Sequence, residues 1–487
     1  MCFHQQLASY SPKPLLSLLT VCLGVLTILS THQGRVVGQE AEKLSPLDIG
    51  TRRELFVDRY LIDTLEGVTH KLHEPRATEP MQEPADPMEY GTILWDGSLY
   101  RMYTRQGRGS KFDGDITEVT RYCESIDGIH WKRPSLGIVE IDGTKDNNVI
   151  LHEAPYCHNF APFLDENPQC DPKHKFKALA GTVKSGLVAF VSADGIHWDK
   201  LRDTPVITYT KEYAFDSQNV AYWSSLESQY VCYFRHFLDG KLRSICRTTS
   251  KDFVNWTEPR AMKPNLPGEH LYTSLAHPYF RAPHLTIATP TRFFPERGES
   301  TDILFMTARG DQPFDRTFRH AFLRPGLDPD RWGNRSNYAA WHIVPTGFTD
   351  QGPTELSLYV TPFRRFTLRL DGFASIHADA DIGIATTKLF VMGGDRLEIN
   401  ASTSGGGRVR VELVDSSGNP IDGFRFEDCE PFVGDSIGHT VRWKKKASLA
   451  SLTGTPLRAR FELLEADLYA LRFVTTTPTE DRTPNLP

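Results

Sequence analysis

Four carboxylates precede predicted strands, and their side chains could perform acid–base chemistry. Asp216 lies in Phe215–Asn219, where four consecutive polar residues come before an apolar strand. Glu355 begins an alternating strand on the face opposite its apolar residues, and Asp165 and Glu89 mark two more strand starts. Hydrolysis of a glycosidic bond needs one protonated and one ionised carboxyl group. We therefore predict a catalytic group led by Asp216 and Glu355, with Asp165 or Glu89 tuning or replacing one of them.

Each of these carboxylates also has a structural interpretation. An Asx turn that leads into the strand would account for Asp216, and a solvated strand start would account for Glu355. Asp165 lies in a turn-like sequence, and Glu89 is selected only because it precedes a strand. The residue types alone leave both interpretations open.

Other polar residues near the same strand starts could bind a substrate. Arg281 is a long cation in an apolar loop, where it would pair with a carboxylate of a substrate, a catalytic residue or a structural partner. The histidines of this set match no local metal-binding spacing, and no nucleotide-binding motif occurs, so we expect neither a metal nor a cofactor. The predicted substrate-binding residues are His158, Asn159, Ser217, Gln218, Asn219, Arg235, His277, Arg281 and His284.

A repeated turn indicates the architecture that would bring these residues together. Ser125–Trp131 has the sequence Ser-Ile-Asp-Gly-Ile-His-Trp, and related copies occur at Ser192–Trp198 and Ser250–Trp256. Each copy follows a β-rich run, as in a hairpin whose Asp caps its own backbone and whose Gly supplies a positive φ. Phe253 replaces the Gly in the third copy, so we expect a different turn there. The spacing suits the blades of a β-propeller, and we count five blades, with six as the alternative.

The pattern changes from about Leu389 onward. Later segments such as Arg408–Leu413 alternate strictly between apolar and polar residues, which predicts a β-sandwich. The expected fold is all-β, a five-bladed β-propeller followed by a C-terminal β-sandwich, and we expect Glu54–Ile62 to close the propeller as a strand of its last blade. The predicted boundaries are 1–38 for a signal peptide, 39–53 for a linker, 54–378 for the propeller, 379–475 for the sandwich and 476–487 for a disordered tail.

The first residues and the overall charge limit the location and the partners. Residues 15–30 form an apolar run, followed by small residues at Val36 and Gly38, as in a cleaved secretion signal. An uncleaved membrane anchor is the alternative. The formal net charge of -6 gives no reason to expect a nucleic-acid partner. We expect a secreted or periplasmic protein with no membrane contact after signal cleavage, and the sequence leaves its oligomeric state open.

The cysteines admit two interpretations. The chain has 8 cysteines, and Cys2 and Cys22 belong to the predicted signal. Cys232 and Cys246 flank one predicted turn, and Cys157 and Cys170 flank a loop that contains proline, so each pair could form a disulfide. Free buried thiols are equally compatible with a chain of this length.

The chain resembles exported five-bladed propeller proteins related to glycoside hydrolase families 32 and 43. More closely, it resembles secreted proteins of planctomycete-type bacteria that are often assigned a family 32 amino-terminal domain. The segments that carry this resemblance are Leu55–Ile62, His158–Phe163, Phe215–Asn219, Glu355–Tyr359 and Leu370–Phe373. The resemblance implies a carbohydrate substrate and glycosidase chemistry. The Asn-Asp-Pro-Asn, Arg-Asp-Pro and Glu-Cys motifs of the invertase group are missing, so the catalytic residues of that family cannot be transferred.

The residues and the resemblance together predict a secreted protein that cleaves glycosidic bonds in a poly- or oligosaccharide. One alternative is a carbohydrate-binding propeller without catalytic activity. The other is a surface scaffold, for which the central funnel would be filled with apolar side chains.

Overall fold

The computed structural model describes residues 45–79, 88–334, 336–350, 352–446 and 448–476. Within these ranges the regular structure is β-strand, together with three short 3-10 helices, so the all-β prediction is confirmed. No helix in the described part of the chain is long and apolar enough to cross a bilayer. The predicted signal peptide lies outside the described residues. The 3-10 helices are Pro172–His174, Pro329–Trp332 and Ala450–Leu452.

The first three blades of the propeller are antiparallel sheets of four strands each. Apolar side chains alternate along them and pack between neighbouring blades, as in the core formed by Phe163, Tyr230 and Phe253. Blade 1 consists of Glu89–Trp95, Tyr100–Gln106, Val119–Ser125 and Val149–Leu151; blade 2 of Ala161–Leu164, Phe176–Thr182, Gly186–Ser192 and Asp199–Lys200; and blade 3 of Val220–Ser224, Gln229–Leu238, Leu242–Ser250 and Arg260–Ala261.

Blade 4 is interrupted across its middle. Its second strand breaks at Pro290, which has no backbone N–H to donate, although the carbonyl of Pro290 still accepts a bond from the Leu304 nitrogen at 2.9 Å. Between the second and third strands the pairing register is the same on both sides of the break, and between the first and second strands it shifts by one residue, so the two three-stranded sheets form one blade. Its strands are His270–Leu271, His277–Tyr279, Ala282–Ala288, Thr291–Phe294, Ser300–Ile303 and Met306–Ala308.

Blade 5 closes the ring with a strand from near the beginning of the chain. Arg76–Ala77 pairs with Arg364–Arg369 as the outermost strand. The prediction that Glu54–Ile62 closes the propeller is wrong, because Arg53–Leu55 pairs with the C-terminal strand Leu457–Val474. The count of five blades is confirmed. The strands of blade 5 are Val344–Thr349, Gly352–Val360, Arg364–Arg369 and Arg76–Ala77.

The β-sandwich is built on one long antiparallel strand pair, Arg396–Asp415 with Leu457–Val474. A register shift between Thr403 and Arg408 bends the strand pair, and apolar residues from both halves share one core. Leu47–Gly50 pairs with this region, so the segment predicted to be a linker contains a strand. The ten strands are Leu47–Gly50, Arg53–Leu55, Ile62–Glu66, Thr69–Leu72, Ala374–Ala378, Gly383–Thr387, Phe390–Met392, Arg396–Asp415, Asp435–Thr440 and Leu457–Val474.

The repeated turns have the predicted local chemistry. In the first copy Asp127 Oδ1 accepts bonds from the backbone nitrogens of Ile129 and His130, both at 2.8 Å. The expectation of a different third turn is wrong, because Phe253 adopts a φ of 65° and Asp252 accepts the equivalent bonds. Burial of the Phe253 ring in the core offsets the strain of the left-handed backbone.

The cysteines are free thiols in the described residues. Cys232 lies opposite Thr248 and Cys246 lies opposite Phe234, so the strand register separates the two thiols. The six thiols are Cys123, Cys157, Cys170, Cys232, Cys246 and Cys429.

Candidate active site

The innermost segments of the five blades begin at one end of the propeller, which we call the upper face. Three tyrosines from different blades meet there, with ring centroids 5.9 Å apart for Tyr90 and Tyr338 and 5.0 Å apart for Tyr272 and Tyr338. Gln218 joins blade 3 to blade 1, because its Nε2 donates to the carbonyls of Tyr90 and Gly91 at 3.1 and 2.9 Å. Residues that lead into these segments therefore gather at the upper face.

Asp216 is held at the upper face by Arg235. The Arg235 Nε donates to Asp216 Oδ1 at 2.6 Å, and the same guanidinium bonds the second carboxylate oxygen through Nη2. The Arg235 guanidinium also lies 4.1 Å from the centre of the Tyr272 ring. Although burial lowers the pKa of Arg235, the charge of Asp216 raises it overall. Asp216 retains 12% side-chain exposure, so its carboxylate is fixed in orientation yet open to the funnel.

A second cluster comes from blade 1 and the loop that opens blade 2. Arg105 Nη2 lies 3.2 Å from Glu89 Oε2, and Arg105 Nη1 lies 2.9 Å from His158 Nδ1. The same ring nitrogen lies 3.0 Å from Glu118 Oε1, and His158 Nε2 lies 3.5 Å from Asp113 Oδ1. The His158 tautomer decides whether Nδ1 accepts from Arg105 or donates to Glu118. Glu89 is one-third exposed, so this cluster also reaches the funnel.

The two clusters are connected above blade 2. The hydroxyl of Tyr213, next to Asp216 in blade 3, donates to Asp113 Oδ2 of the blade 1 loop at 3.1 Å. Burial raises the pKa of Tyr213 to about 12, and the charges of Asp113 and Asp216 add to this shift. Tyr213 is therefore a neutral donor near neutral pH, and it holds the blade 1 loop beside the Asp216 carboxylate.

The tyrosines at the upper face differ in their electrostatics. Burial raises the pKa of Tyr90 and of Tyr338. Burial also acts to raise the pKa of Tyr272, but the guanidiniums of Arg235 and Arg243 and a hydrogen bond with Tyr90 lower it overall. Arg243 itself lies within 4.8–5.3 Å of the aromatic rings of Phe237, Tyr272 and Phe293. The funnel therefore combines aromatic faces with positive charge.

Several buried polar atoms close to the upper face have no hydrogen-bond partner among the described residues. These atoms are Asn159 Oδ1, Ser217 Oγ, Gln218 Oε1 and Asn219 Oδ1. Buried oxygens of this kind are normally bonded to ordered water or to a ligand. The polar run of blade 3 and Asn159 of blade 2 therefore form a buried polar layer next to Asp216.

Glu355 does not join this group. It belongs to the second strand of blade 5 and lies opposite Thr346, whereas the upper end of the innermost segment of that blade is at Tyr338. Glu355 is paired with Arg365, and Thr346 Oγ1 donates to its Oε1 at 3.1 Å. The predicted pairing with Asp216 is wrong, because the strands carry the two carboxylates to different levels of the propeller.

Asp165 also lies elsewhere. Its side chain is fully buried in an ion pair with Lys177, and the Tyr230 hydroxyl donates to it at 2.7 Å. It follows the innermost strand of blade 2 and so lies at the opposite end of that strand from His158. Asp165 is a structural residue.

Arg281 and His284 lie at the contact between the propeller and the sandwich. Arg281 Nε is 3.2 Å from Asp371 Oδ1, and His284 Nε2 is 3.2 Å from Glu54 Oε1. Of the three kinds of partner predicted for Arg281, the structure therefore shows a structural carboxylate, that of Asp371. His277 lies at the far end of the innermost strand of blade 4, where its Nδ1 is 3.1 Å from the Leu275 carbonyl. The structure thus places all three away from Asp216.

The upper face brings together most of the predicted residues and several that the sequence did not indicate. The predicted residues are Asp216, Glu89, His158, Asn159, Ser217, Gln218, Asn219 and Arg235. The sequence did not indicate Arg105 and Arg243 because they lie in the second and third strands of their blades rather than at the start of an innermost strand. It did not indicate Asp113 and Glu118 because the sequence of their loop is not repeated elsewhere in the chain. The residues added by the structure are Arg105, Asp113, Glu118, Tyr213, Arg243, Tyr272 and Tyr338.

Comparisons with known proteins give similar structures but no related sequence. No protein-family model and no curated protein matches the chain. A thermostable family-43 glycoside hydrolase is 10% identical with a TM-score of 0.39, covering 62% of this chain and 92% of its own. A fructofuranosidase from Schwanniomyces occidentalis, complexed with fructosylnystose, is 10% identical with a TM-score of 0.36, covering 89% and 100%.

A further similar structure is an N-acetylgalactosamine deacetylase from F. plautii in complex with blood group B trisaccharide. It is 12% identical with a TM-score of 0.42, covering 84% of this chain and 95% of its own. The assignment of this chain as a five-bladed propeller with a sandwich rests on its own strand pairing.

Proposed function

We propose that this chain is an exported glycoside hydrolase-like protein of the group related to families 32 and 43, and that it cleaves glycosidic bonds of a poly- or oligosaccharide at the upper face. The observation that carries the proposal is the convergence of Asp216 and Glu89, from blades 3 and 1, on one polar funnel with aromatic walls. Sugars present hydroxyl edges and apolar faces, which such a funnel can bind.

In this proposal Asp216 and Glu89 have different catalytic roles. Arg235 fixes the Asp216 carboxylate by two bonds, and this pairing favours a role as the ionised group that attacks the sugar or activates water. Glu89 is more exposed and is the proton donor to the leaving oxygen. Tyr213 and His158 hold the Asp113 loop against the site.

The substitution Asp216→Asn tests this role. We expect turnover to fall about 1,000-fold or more, in the range of losses that removal of one essential catalytic group produces, while Tm changes by only a few degrees. The assay is release of reducing sugar from a panel of plant and algal polysaccharides. Glu355→Gln is the matched control, because it removes a carboxylate that is also paired with an arginine, and it should retain activity. An Asp216→Asn variant with wild-type turnover would remove Asp216 from the mechanism.

A carbohydrate-binding propeller without catalytic activity is the second candidate. The observation that favours it is that both carboxylates are already paired with guanidiniums, as in a structural ion pair. This candidate predicts binding on a glycan array without release of reducing sugar from any substrate, and equal binding by wild type and Glu89→Gln.

A further inference from the structure

A second cavity lies at the far end of the propeller axis from Asp216. It has a volume of about 250 Å³ and is lined by residues at the ends of the innermost segments of all five blades. Trp95 of blade 1, Trp223 of blade 3 and Phe280 of blade 4 supply aromatic walls. Asp216 lies seven positions before Trp223 in the chain, on the other side of the Val220–Ser224 strand, so this cavity is distinct from the funnel at the upper face.

His342 gives this cavity an unusual polar group. Its backbone has a φ of 76°, a conformation that is uncommon for a residue with a side chain. Its Nδ1 is buried without a hydrogen-bond partner among the described residues. A residue in a strained backbone conformation at the wall of a cavity is a typical feature of a binding site.

The arrangement of neighbouring rings fixes the imidazole of His342. It stacks on Trp341 with centroids 4.1 Å apart, and the His277 ring lies 5.0 Å away. Burial lowers the pKa of His342 well below its ordinary value, and the nearby His277 lowers it further. Burial also lowers the pKa of His277, to about 4. Both rings are therefore neutral near neutral pH, so the cavity carries no positive charge from them.

We propose that this cavity is a second carbohydrate site, which binds a single sugar ring. The apolar face of the ring stacks against Trp95 or Trp223, and its hydroxyl groups bond to the polar side chains at the cavity wall, His342 and Glu166. The volume is below the roughly 300–1,000 Å³ typical of pockets for drug-sized ligands. One ring therefore fits better than an oligosaccharide segment.

The site is independent of the proposed hydrolase activity. It shares no residue with the upper face and needs no proton transfer. In this proposal it holds a terminal sugar ring at the lower end of the propeller, whether or not Asp216 is catalytic.

The test measures binding of free glucose, galactose, arabinose and xylose by tryptophan fluorescence and by saturation-transfer NMR. We expect at least one sugar to bind, with affinity lowered about tenfold or more in His342→Asn and in Trp223→Leu. Asparagine tolerates a positive φ, so His342→Asn should fold. The control is Trp332→Leu, which replaces an exposed tryptophan in the 3-10 helix Pro329–Trp332 and should bind as wild type does.

Three results would overturn the proposal. The first is that none of the four sugars binds to the wild type. The second is that binding persists unchanged in both His342→Asn and Trp223→Leu. The third is that cyclohexanol, a ring of similar size with one hydroxyl group, binds as tightly as the best sugar, which would make the cavity merely apolar.

Discussion

Asp216 and Asp165 are both bound to a cation, but their surroundings give them different roles. The Asp216 carboxylate remains partly exposed at the upper face, whereas the Asp165 carboxylate is enclosed by Lys177 and Tyr230. Accessibility to a substrate, rather than residue type, therefore separates the candidate catalytic residue from the structural one.

The substitution Asp165→Asn should reduce stability and leave the chemistry intact. It removes the countercharge of the buried Lys177 ammonium, and breaking a buried ion pair costs about 3–5 kcal/mol. Urea denaturation should show a loss of this order. Activity or glycan binding per folded molecule should stay within about twofold of wild type, and a selective loss of activity at unchanged stability would contradict the structural role.

At the scale of the elements, the repeated turns hold neighbouring blades together. The turn at Gly128 lies against blade 5, where the Tyr359 hydroxyl donates to the Gly128 carbonyl. The turn at Gly195 contacts blade 1 in the same manner, because the Tyr103 hydroxyl donates to the Gly195 carbonyl at 2.9 Å. Each turn therefore contributes to packing between blades as well as to its own hairpin.

Gly128→Ala should destabilise the propeller for two reasons, because it strains the backbone and because it crowds side chains of blade 5. The glycine has a φ of 74°, and a Cβ would lie 2.9 Å from the Tyr359 hydroxyl and 3.0 Å from Thr346 Cγ2. We expect a loss of about 2–4 kcal/mol, since the left-handed conformation alone costs an alanine about 1–2 kcal/mol. Gly97→Ala is the control, because its φ is also positive but no atom lies within 4 Å. Equal losses in thermal denaturation would show that the contact has no effect.

At the scale of the whole molecule, buried charges connect the propeller to the sandwich. Asp371 accepts bonds from the Tyr279 hydroxyl at 2.7 Å and from Asn400 Nδ2 at 3.0 Å, and it pairs with Arg53 and Arg281. A second group joins Glu54 to His284 and Arg309. The N-terminal strand Arg53–Leu55 therefore contributes charges to both groups while it pairs with the sandwich.

The Glu54 group should make stability fall at low pH. Burial acts to raise the pKa of Glu54, but the bond with His284 and the charge of Arg309 lower it to about 2, from an ordinary value of 4.5. Because the folded pKa lies below the unfolded one, the ionised carboxylate stabilises the fold fully above about pH 4.5, and this contribution is lost as the pH falls toward 2.

Urea denaturation at pH 6 and pH 3 measures this contribution. Wild type should lose more stability between these pH values than Glu54→Gln does, while Glu140→Gln, at an exposed position, should behave as wild type. Parallel pH profiles for wild type and Glu54→Gln would exclude the proposed contribution.

The sequence alone determined the features that depend on residues close to one another along the chain. Alternation of apolar and polar residues marked the strands, and the Asp-Gly turns fixed the hairpins, because their hydrogen bonds form within a few residues. The spacing of those turns, together with the strand-like runs that follow them, predicted five blades. The polar run Asp216–Asn219 also pointed to the funnel, since a strand that leads into a propeller axis places such residues at its beginning.

Only the tertiary structure decided which distant residues meet. The strand register of blade 5 places Glu355 away from Asp216. The strand that closes the propeller is Arg76–Ala77 rather than Glu54–Ile62, because it is Arg76–Ala77 that pairs with the third strand of blade 5. The partners of Arg281 and His284 likewise come from distant segments. These contacts depend on long-range pairing and on burial of charge, and local sequence pattern carries no information about either.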